Sequence, residues 1–401
     1  MVRALWVTDE LPDRDLGGGS IRQAHLIEAL GRRVETDVLL AGHLVDDVTR
    51  GATSIVFEVS DHHRGPPVGR TVRRLHDVGL ALFEPLPRDL FYLRAVRRAL
   101  ARELDRIDAA QRYDLVVVNH QSLLPLLPTH RRGHWVAHLH NAAAQRARQT
   151  AATFAGRRQR WIYGREAAKA DRLERWAVRA YDAVVVCSEQ DADVLTGSDR
   201  RMAAGPVVVA PNGVDATRFS PSPLPPEPRM IMSASFNYLP NVDGAVWFVE
   251  GVLPKIRAAV PAAVLDLVGR QPVSKIVALA QQPGVELKAD VPEMAPHLAA
   301  ARVAVVPLRI GTGTRLKALE AMASGRPLTG TTIGLEGLDL TDGINARFAD
   351  DPDALARAIV ELLCDDVRAG AIASAGRRLV EERYRWETIG EKFVDAMLTL
   401  T

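Results

Sequence analysis

The chain has 401 residues, a length that allows two domains or three. Its 51 lysines and arginines nearly balance its 49 aspartates and glutamates, which argues against a nucleic-acid binder driven by bulk charge. Hydrophobic residues make up 47% of the chain, as in globular proteins, and its two cysteines cannot build a disulfide framework or a multi-cysteine metal site. The N-terminus soon turns acidic and no run of about 18 apolar residues occurs. We therefore expect a cytoplasmic protein without a secretory signal or a membrane-spanning helix.

Short apolar runs bounded by turn residues alternate with helical patterns in the first half of the chain. Such runs are typical of strands buried on both faces of a parallel sheet, with the helices as crossovers. The predicted strands are 4–8, 34–40, 55–59, 80–83, 115–119, 135–140, 183–187 and 207–210, and the predicted helices include 20–32 and 87–107.

A proline-rich segment, 219–228, carries five prolines in ten residues and predicts a linker, because proline fits neither a helix interior nor an inner strand. A second series of the same kind follows it. Its predicted strands are 230–233, 263–268, 285–288, 303–307 and 327–331, and its predicted helices are 242–260, 273–281, 294–301, 315–324, 352–363 and 367–398, the last interrupted near 384–386. The pattern predicts an α/β protein of two doubly wound domains with a cleft between them. Ligands of such sheets bind beyond the carboxyl ends of the strands.

Two glycine-rich segments begin predicted helices. Gly17, Gly18 and Gly19 precede Ser20, where backbone N–H groups and a helix N-terminus favour an anion, although a plain flexible turn fits the spacing equally well. The segment is not the G-x-G-x-x-G dinucleotide motif.

The second glycine-rich segment runs from Pro307 to Pro327 and combines several groups suited to a nucleotide. Gly311, Thr312, Gly313 and Thr314 precede a helix that carries Arg315, Lys317 and Glu320. Amide donors, the helix dipole and two cations favour a diphosphate there, and the glutamate could accept hydrogen bonds from vicinal hydroxyls. The alternative is a surface helix with a Lys317–Glu320 pair.

Three histidines, His134, His138 and His140, alternate on one predicted strand. A metal site lacks acidic partners at suitable spacing, so we interpret His134 and His138 as structural and place His140 at the carboxyl end, facing the cleft. Asp191 and Asp193 have the D-x-D form of a divalent-ion site, but their position at a helix start is the simpler explanation. No G-x-S-x-G sequence marks a hydrolase nucleophile.

The segment 141–180 contains ten basic residues and three acidic ones. A solvated helical face is one interpretation. The other is a surface for anionic lipid or for an anionic acceptor.

In their order along the chain these features resemble the GT-B glycosyltransferases, in particular the retaining group 1 family that uses nucleotide-sugar donors. The resemblance covers essentially the whole chain. The matching segments are 18–22, 139–141, 185–189, 211–215 with 218–219, 240–241, 247–248, 252–254, 313–327 and 384–387.

This resemblance implies two facing Rossmann-like domains and a C-terminal helix that crosses back to the N-terminal domain. We expect an N-terminal acceptor-side domain over 1–218, a linker over 219–228, a nucleotide-sugar domain over 229–383 and the returning helix over 384–401.

The resemblance also implies roles for single residues. Glu320 matches the glutamate that holds the ribose hydroxyls, Gly313 and Thr314 match the loop at the diphosphate, and His140 matches a catalytic-site histidine near the donor sugar. Gly18 and Gly19 match the N-terminal loop that closes over phosphate and sugar.

Two departures from the family pattern concern the donor site. Thr312 stands where the family commonly has a glutamate that contacts the transferred sugar. The Arg and Lys that often follow the first strand of the second domain are also missing, since 233–240 reads SASFNYLP. Our hypothesis is that Arg315 and Lys317 supply the positive charge instead.

The expected function is that of a retaining, metal-independent glycosyltransferase without a cofactor. It would move a hexosyl-type sugar from a UDP- or GDP-linked donor to a hydroxyl of a lipid, a glycan or a small natural product. A phosphorylase or sugar-nucleotide epimerase of the same fold, or a non-catalytic nucleotide-sugar-binding subunit, are the alternatives. Nucleic acid is not an expected partner, and 141–180 permits peripheral contact with the inner face of a membrane. The excess of Arg over Lys, 45 to 6, is typical of a GC-rich bacterial genome.

Overall fold

The computed structural model of the chain describes residues 2–14, 17–41, 53–57, 86–87, 94–110, 113–128, 131–153, 156–197 and 199–401. The strand predicted at 80–83 and part of the helix predicted at 87–107 lie outside these residues. The internal contacts divide the chain into two units. Unit 1 comprises Met1–Pro211 with Ile389–Thr401, and unit 2 comprises Asn212–Thr388.

Unit 1 contains a parallel sheet of seven described strands in the order β3-β2-β1-β4-β5-β6-β7. The strands are β1 (Arg3–Thr8), β2 (Glu35–Ala41), β3 (Thr53–Phe57), β4 (Leu115–Asn119), β5 (His134–His138), β6 (Ala183–Val186) and β7 (Val207–Val209). The helices are α1 (Gly18–Gly31), α2 (Arg94–Ala110), α3 (Ala143–Thr153), α4 (Arg157–Ala180) and α5 (Glu189–Thr196), with 3₁₀ turns at Gln121–Leu126 and Arg200–Met202.

Unit 2 repeats this winding with six described strands in the order β10-β9-β8-β11-β12-β13. The strands are β8 (Arg229–Ser235), β9 (Val264–Arg270), β10 (Val285–Ala289), β11 (Val303–Val306), β12 (Leu328–Gly330) and β13 (Arg347–Phe348). The helices are α6 (Leu239–Trp247), α7 (Leu253–Ala259), α8 (Ser274–Leu279), α9 (Ala295–Ala299), α10 (Leu316–Ala323), α11 (Thr332–Leu335), α12 (Pro352–Cys364) and α13 (Asp366–Arg383), with a π-helical turn at Phe248–Val252 between α6 and α7. The last helix, α14 (Trp386–Leu398), begins in unit 2 and belongs to unit 1 from Ile389 onwards.

The burial of the central strands explains why short apolar runs in the sequence predicted a parallel sheet. Every residue of β4, β6 and β11 is buried, as expected for strands covered by helices on both faces. In each sheet the order reverses beside the first strand, between β1 and β4 and between β8 and β11. These are the switch points at which open α/β sheets bind ligands. The predicted fold class, two Rossmann-like α/β domains, is confirmed.

The C-terminal helix returns to the first unit, as predicted, from Ile389 onwards. Phe393 is fully buried and its ring lies 6.2 Å from that of Trp6 in β1. Gly390 lies so close to α1 that a Cβ there would be 2.6 Å from the Cβ of Ala29.

The proline-rich segment 219–228 is anchored to unit 2, and the division between the units falls at Pro211, ahead of the predicted domain end at 218. Fully buried Arg326 donates to the carbonyl of Pro223 at 3.3 Å and to Ser222 Oγ at 3.0 Å, and Arg302 donates to the carbonyl of Pro225 at 3.1 Å. Prolines lack N–H groups, so this backbone cannot join a strand ladder and its carbonyls take arginine donors instead.

No helix in the described ranges is both long and apolar enough to cross a membrane.

Candidate active site

In unit 2 the loop after β11 is held in one shape by its own side chains and by Asn212. The guanidinium of Arg315 donates to the carbonyl of Thr312 and, at 3.1 Å, to that of Ile333. The backbone N–H of Asn212 donates to Thr314 Oγ1 at 2.8 Å, and its side-chain amide donates to the Thr314 carbonyl at 3.0 Å. Gly313 has φ 76°, a left-handed conformation that favours glycine.

The loop leads into α10, whose N-cap residue, Arg315, makes no side-chain cap. The first N–H groups of a helix have no partner within the helix, and the dipole makes this end positive. The loop and the start of α10 together can therefore receive an anion.

The first turns of α6, which follows β8 on the other side of the switch point, pack against the loop after β11 and bind it. Asp243 binds Arg309 through both carboxylate oxygens, at 2.6 and 3.0 Å. Gly244 lies against the loop, since a Cβ there would be 2.7 Å from the Pro307 carbonyl oxygen. A side chain at position 244 would push α6 away from the loop after β11.

Lys317 and Glu320 lie half-buried on the first turns of α10. Lys317 Nζ donates to Asn241 Oδ1 at 2.7 Å, and Asn241 is oriented by its own bond to the Ser235 carbonyl at 2.8 Å. Burial, with the nearby charge of Arg315, lowers the pKa of Lys317 to about 7. Burial also raises the pKa of Glu320, against the opposing charges of Lys317 and Arg218. The charges on both groups are thus costly without a ligand of complementary chemistry.

In unit 1 the predicted glycine loop is the first turn of α1, which begins at Gly18, two residues before the predicted start. Ser20 Oγ donates to Glu10 Oε1 at 2.8 Å. A Cβ at Gly19 would lie 2.7 Å from Glu10 Oε2 and 3.0 Å from His140 Nδ1. The absence of a side chain at Gly19 therefore lets a carboxylate and an imidazole both approach the start of the helix.

His140 lies just beyond β5, which begins one residue earlier than predicted and ends two residues earlier, at His138. His140 Nε2 is 2.7 Å from Asn119 Oδ1, and His138 Nδ1 is 2.6 Å from the same oxygen. Arg22 Nε donates to His138 Nε2 at 2.9 Å. Burial, followed by neighbouring positive and imidazole groups, lowers the pKa of both histidines well below the usual range. His134 is exposed.

His120 is a candidate site residue that the sequence did not suggest. Its φ of 82° is rare for a residue other than glycine, and it directly follows β4 at the switch point. Its ring lies 5.6 Å from that of His140 and its Nδ1 is 2.8 Å from Ser122 Oγ. The strand-end position of Asn119-His120 was the signal that could have identified it.

Asp191 serves the start of α5, as the helix-start interpretation predicts. Ser188 Oγ accepts from the Asp191 N–H at 3.0 Å, and Asp191 Oδ1 accepts from the Ala142 N–H at 3.3 Å.

The predicted residues thus form one group in each unit. Gly313, Thr314, Arg315, Lys317 and Glu320 share the loop and helix after β11, whereas Gly18, Gly19 and His140 meet at the start of α1. The supporting residues were not predicted, because their contacts are made only in the folded chain: Asn212, Asn241, Asp243, Glu10 and Asn119.

Comparison with known proteins agrees with this architecture. Two family models match: Glycosyltransferase Family 4 over residues 16–218 and Glycosyl transferases group 1 over residues 227–365. Among relatives, glycogen synthase of Mycobacterium tuberculosis is 27% identical over 254 residues, which are 59% of either chain. A GDP-mannose-dependent alpha-(1-6)-phosphatidylinositol monomannoside mannosyltransferase of Mycolicibacterium smegmatis is 29% identical over 52% of this chain and 62% of its own. The chain therefore spans about three fifths of the length of the relatives it matches.

Two solved structures share the fold over the whole chain. Sucrose-phosphate synthase from Thermosynechococcus elongatus has a TM-score of 0.76 at 20% identity, covering 100% of this chain and 99% of its own. Anabaena HepE in complex with UDP-glucose has a TM-score of 0.68 at 15% identity, covering 100% of both chains. With one family model matching more than half of its residues and the second covering most of unit 2, the chain belongs to the group 1 glycosyltransferases of GT-B fold.

Proposed function

We propose that the chain is a retaining glycosyltransferase that moves a hexosyl-type sugar from a UDP- or GDP-linked donor to an acceptor hydroxyl, without a metal ion or a cofactor. The observation that carries the proposal is the arrangement at the start of α10. A helix N-terminus and a lysine of lowered pKa lie about one turn from a half-buried carboxylate. A nucleoside diphosphate offers the complementary groups, an anionic diphosphate and a ribose with two hydroxyls.

The bond that breaks joins the anomeric carbon to the diphosphate oxygen. Negative charge grows on the β-phosphate as this bond lengthens, so donors directed at that oxygen stabilise the transition state more than the ground state. Lys317, the N–H groups of the loop and the start of α10 would supply these donors. We assign Arg315 to shaping the loop, because its guanidinium already binds the Thr312 and Ile333 carbonyls.

Retention of configuration follows if the acceptor hydroxyl attacks the face from which the diphosphate leaves. The new bond joins the acceptor oxygen to the anomeric carbon, and the proton passes to the departing phosphate oxygen. This scheme needs no nucleophilic side chain.

The donor and acceptor classes are supported by the named relatives. The mannosyltransferase uses GDP-mannose on a phosphatidylinositol mannoside, and HepE was solved with UDP-glucose. We propose a lipid or glycan acceptor for this chain, with a small natural product as the other class. Helix α4 supports peripheral contact with an anionic membrane surface, since Trp161 and Trp176 are 41% and 40% exposed among exposed arginines.

The test is a thermal-shift screen of UDP-, GDP- and ADP-linked hexoses, followed by transfer assays in which NMR reports the anomeric configuration of the product. One donor is expected to raise Tm in proportion to its affinity. Glu320→Gln is expected to weaken donor binding about 10- to 100-fold, because a hydrogen bond to a charged group contributes about 1.5–3 kcal/mol.

Glu250→Gln, at an exposed glutamate of the same unit, is the matched control and should bind as the parent does. Equal binding by Glu320→Gln would contradict the assigned site. Binding without transfer would favour the non-catalytic subunit, release of a sugar 1-phosphate would favour a phosphorylase, and conversion of the donor sugar alone would favour an epimerase.

A further inference from the structure

Asn212, the first residue of unit 2, binds the loop after β11 through two hydrogen bonds to one residue. Its backbone N–H donates to Thr314 Oγ1 at 2.8 Å, and its side-chain Nδ2 donates to the Thr314 carbonyl at 3.0 Å. A carbonyl can only accept, so the nitrogen of the Asn212 amide must be the atom on this side. Both residues are buried. The hydroxyl and the carbonyl of Thr314 are thus held by a residue 102 positions earlier in the chain.

The segment that carries Asn212 is itself fixed by the last residues of unit 2. The Val214 N–H donates to the Tyr384 carbonyl at 2.8 Å. Gly213 lies against Trp386, since a Cβ there would be 2.7 Å from Cδ2 of the indole ring. Val214, Tyr384 and Trp386 are all buried. Asn212 therefore extends from a packed segment, and its amide reaches Thr314 from a fixed position.

The Thr314 carbonyl determines which way the next peptide faces. The peptide bonds of this loop are trans, so each backbone N–H points opposite to the carbonyl of the same peptide. With the Thr314 carbonyl bound to Asn212, the backbone N–H of Arg315 points away from Asn212. The guanidinium of Arg315 binds the Thr312 carbonyl and orients the N–H of Gly313 in the same manner. Neither peptide can turn over without losing a hydrogen bond.

The orientation of these two peptides matters for an anionic ligand. Successive backbone N–H groups can form a concave site for a phosphate, whereas a peptide that turned over would present its carbonyl oxygen and repel the same charge. The loop thus has two peptide anchors. One is its own guanidinium, from Arg315, and the other is the amide of Asn212, which comes from outside the loop.

We propose that Asn212 is a positioning residue for the donor diphosphate. From the start of unit 2 it fixes the peptide between Thr314 and Arg315, so that the loop after β11 turns N–H groups rather than carbonyl oxygens toward the β-phosphate. The proposal rests on the proposed function for the identity of the ligand, but the anchoring of Thr314 is a property of the free protein. Asn212 does not touch the donor in this arrangement and acts only through Thr314.

The test without a ligand is hydrogen exchange of the Asn212 backbone N–H, followed by NMR of protein labelled with ¹⁵N-asparagine, in which Asn212→Ala identifies the signal. We expect slow exchange in the parent and in Thr314→Ser, which keeps the hydroxyl acceptor. Exchange should be at least tenfold faster in Thr314→Val, which removes it. Fast exchange in the parent, or equal exchange in the serine and valine variants, would overturn the proposal whatever the protein binds.

The test with a ligand compares a nucleoside diphosphate with the monophosphate of the same base. Asn212→Ala is expected to weaken the binding of UDP or GDP about three- to tenfold, the usual effect of losing one hydrogen bond. It should leave UMP or GMP within twofold, because the loop serves the second phosphate. An equal loss for both nucleotides would show a general structural role and contradict the proposal, as would no loss for either.

A parent protein that binds neither UDP nor GDP would overturn the proposed function and the ligand assigned here, while the exchange experiment would still report on the anchor. The matched control is Asn345→Ala. Asn345 also bridges a loop of unit 2, because it accepts from the Thr341 N–H at 2.8 Å and donates to the Asp339 carbonyl at 3.2 Å. It lies outside the loop after β11, so its loss should leave the affinity for both nucleotides unchanged.

Asn212→Asp separates the hydrogen bond from the packing of the side chain. Aspartate has nearly the same size, but it replaces the donor with an oxygen that opposes the Thr314 carbonyl. We expect its affinity for UDP or GDP to be as low as that of Asn212→Ala or lower. Affinity equal to that of the parent would contradict the proposal, because the amide nitrogen would then have no part in holding the loop.

Discussion

Individual residues of unit 2 divide into those that shape the loop after β11 and those that remain for a ligand. Arg315 illustrates the first kind, because a cation that looked suited to a diphosphate in the sequence donates to loop carbonyls in the structure. Lys317 illustrates the second kind. Its partner, Asn241 Oδ1, is neutral, so its charge is not balanced by that hydrogen bond.

The pKa of Lys317, about 7, predicts that donor affinity depends on pH. A lysine binds a diphosphate when it is charged, and its charged fraction falls about tenfold from one unit below the pKa to one unit above it. We expect the dissociation constant of a nucleotide sugar, whose diphosphate does not titrate in this range, to rise by up to about tenfold between pH 6 and pH 8. Isothermal titration calorimetry across this range measures it.

Other charged groups near Lys317 also influence the pH dependence of donor affinity. The charge of Arg315 lowers the pKa of Lys317 and that of Glu320 raises it, and burial raises the pKa of Glu320 itself. Lys317→Met should weaken binding at pH 6 and flatten the profile, while Lys255→Met, at a lysine paired with Asp353 elsewhere in unit 2, should leave both unchanged. An unaltered slope in Lys317→Met would assign the pH dependence to another group.

Among the elements, the strands were predicted closely and the ends of the helices were not. The predicted helix 242–260 is divided by the π-helical turn Phe248–Val252, because Pro254 lacks the N–H that a continuous helix needs at that point. Helix α1 starts at Gly18 rather than Ser20 because glycines are tolerated in a first turn whose N–H groups have no helical partner. The short elements α11 and β13 were not predicted, since four and two residues carry no readable period.

Helix α4 supports the interpretation of the basic segment 141–180 as a surface for anionic lipid. Its inner face is buried through residues such as Leu173 and Ala177, and α3 packs against it. Exposed arginines and both tryptophans recur at helical spacing on the outer face: Arg157, Arg158, Trp161, Arg165, Arg172, Trp176 and Arg179. Aromatic and basic side chains on one face are typical of a helix that lies at an anionic membrane surface.

In flotation experiments we expect the protein to bind vesicles that contain anionic lipid and to leave them as salt is raised, because salt screens the arginine charges. Replacing Arg157, Arg172 and Arg179 by Gln should reduce the bound fraction severalfold. The same loss of charge at Arg200, Arg201 and Arg378 is the control and should change little. Binding that is absent at low salt, or equal in the two triple variants, would favour the solvated-face interpretation.

At the scale of the whole molecule, the C-terminal residues complete the first unit. Ile389, Phe393, Val394 and Met397 are all buried, although they follow the whole of unit 2 in the sequence. The core of unit 1 is therefore closed only after the last helix has been made.

We expect Phe393→Ala to lower the free energy of unfolding of unit 1 by about 3–5 kcal/mol, the usual cost of removing a buried aromatic ring. Denaturant unfolding monitored by hydrogen exchange would separate the two units, since a protein of two units need not unfold in one step. Amides of β1 and α1 should lose protection while those of β9 and β11 do not. The exposed neighbour Lys392→Ala is the control, and an equal loss of protection in both units would show that they unfold together.

The sequence by itself determined the fold class and located the segment that we propose binds the donor. Alternation of buried strands and helices is a local property of composition, and glycines next to a helix start can be recognised without knowing what surrounds them. Only the tertiary structure decided which side chains act there, for example that Asn212 holds Thr314 and that Arg315 turns into its own loop. The same holds for the buried network of Arg22, His138 and Asn119, because hydrogen-bond partners more than a hundred residues apart meet only when parallel strands bring their ends together at a switch point.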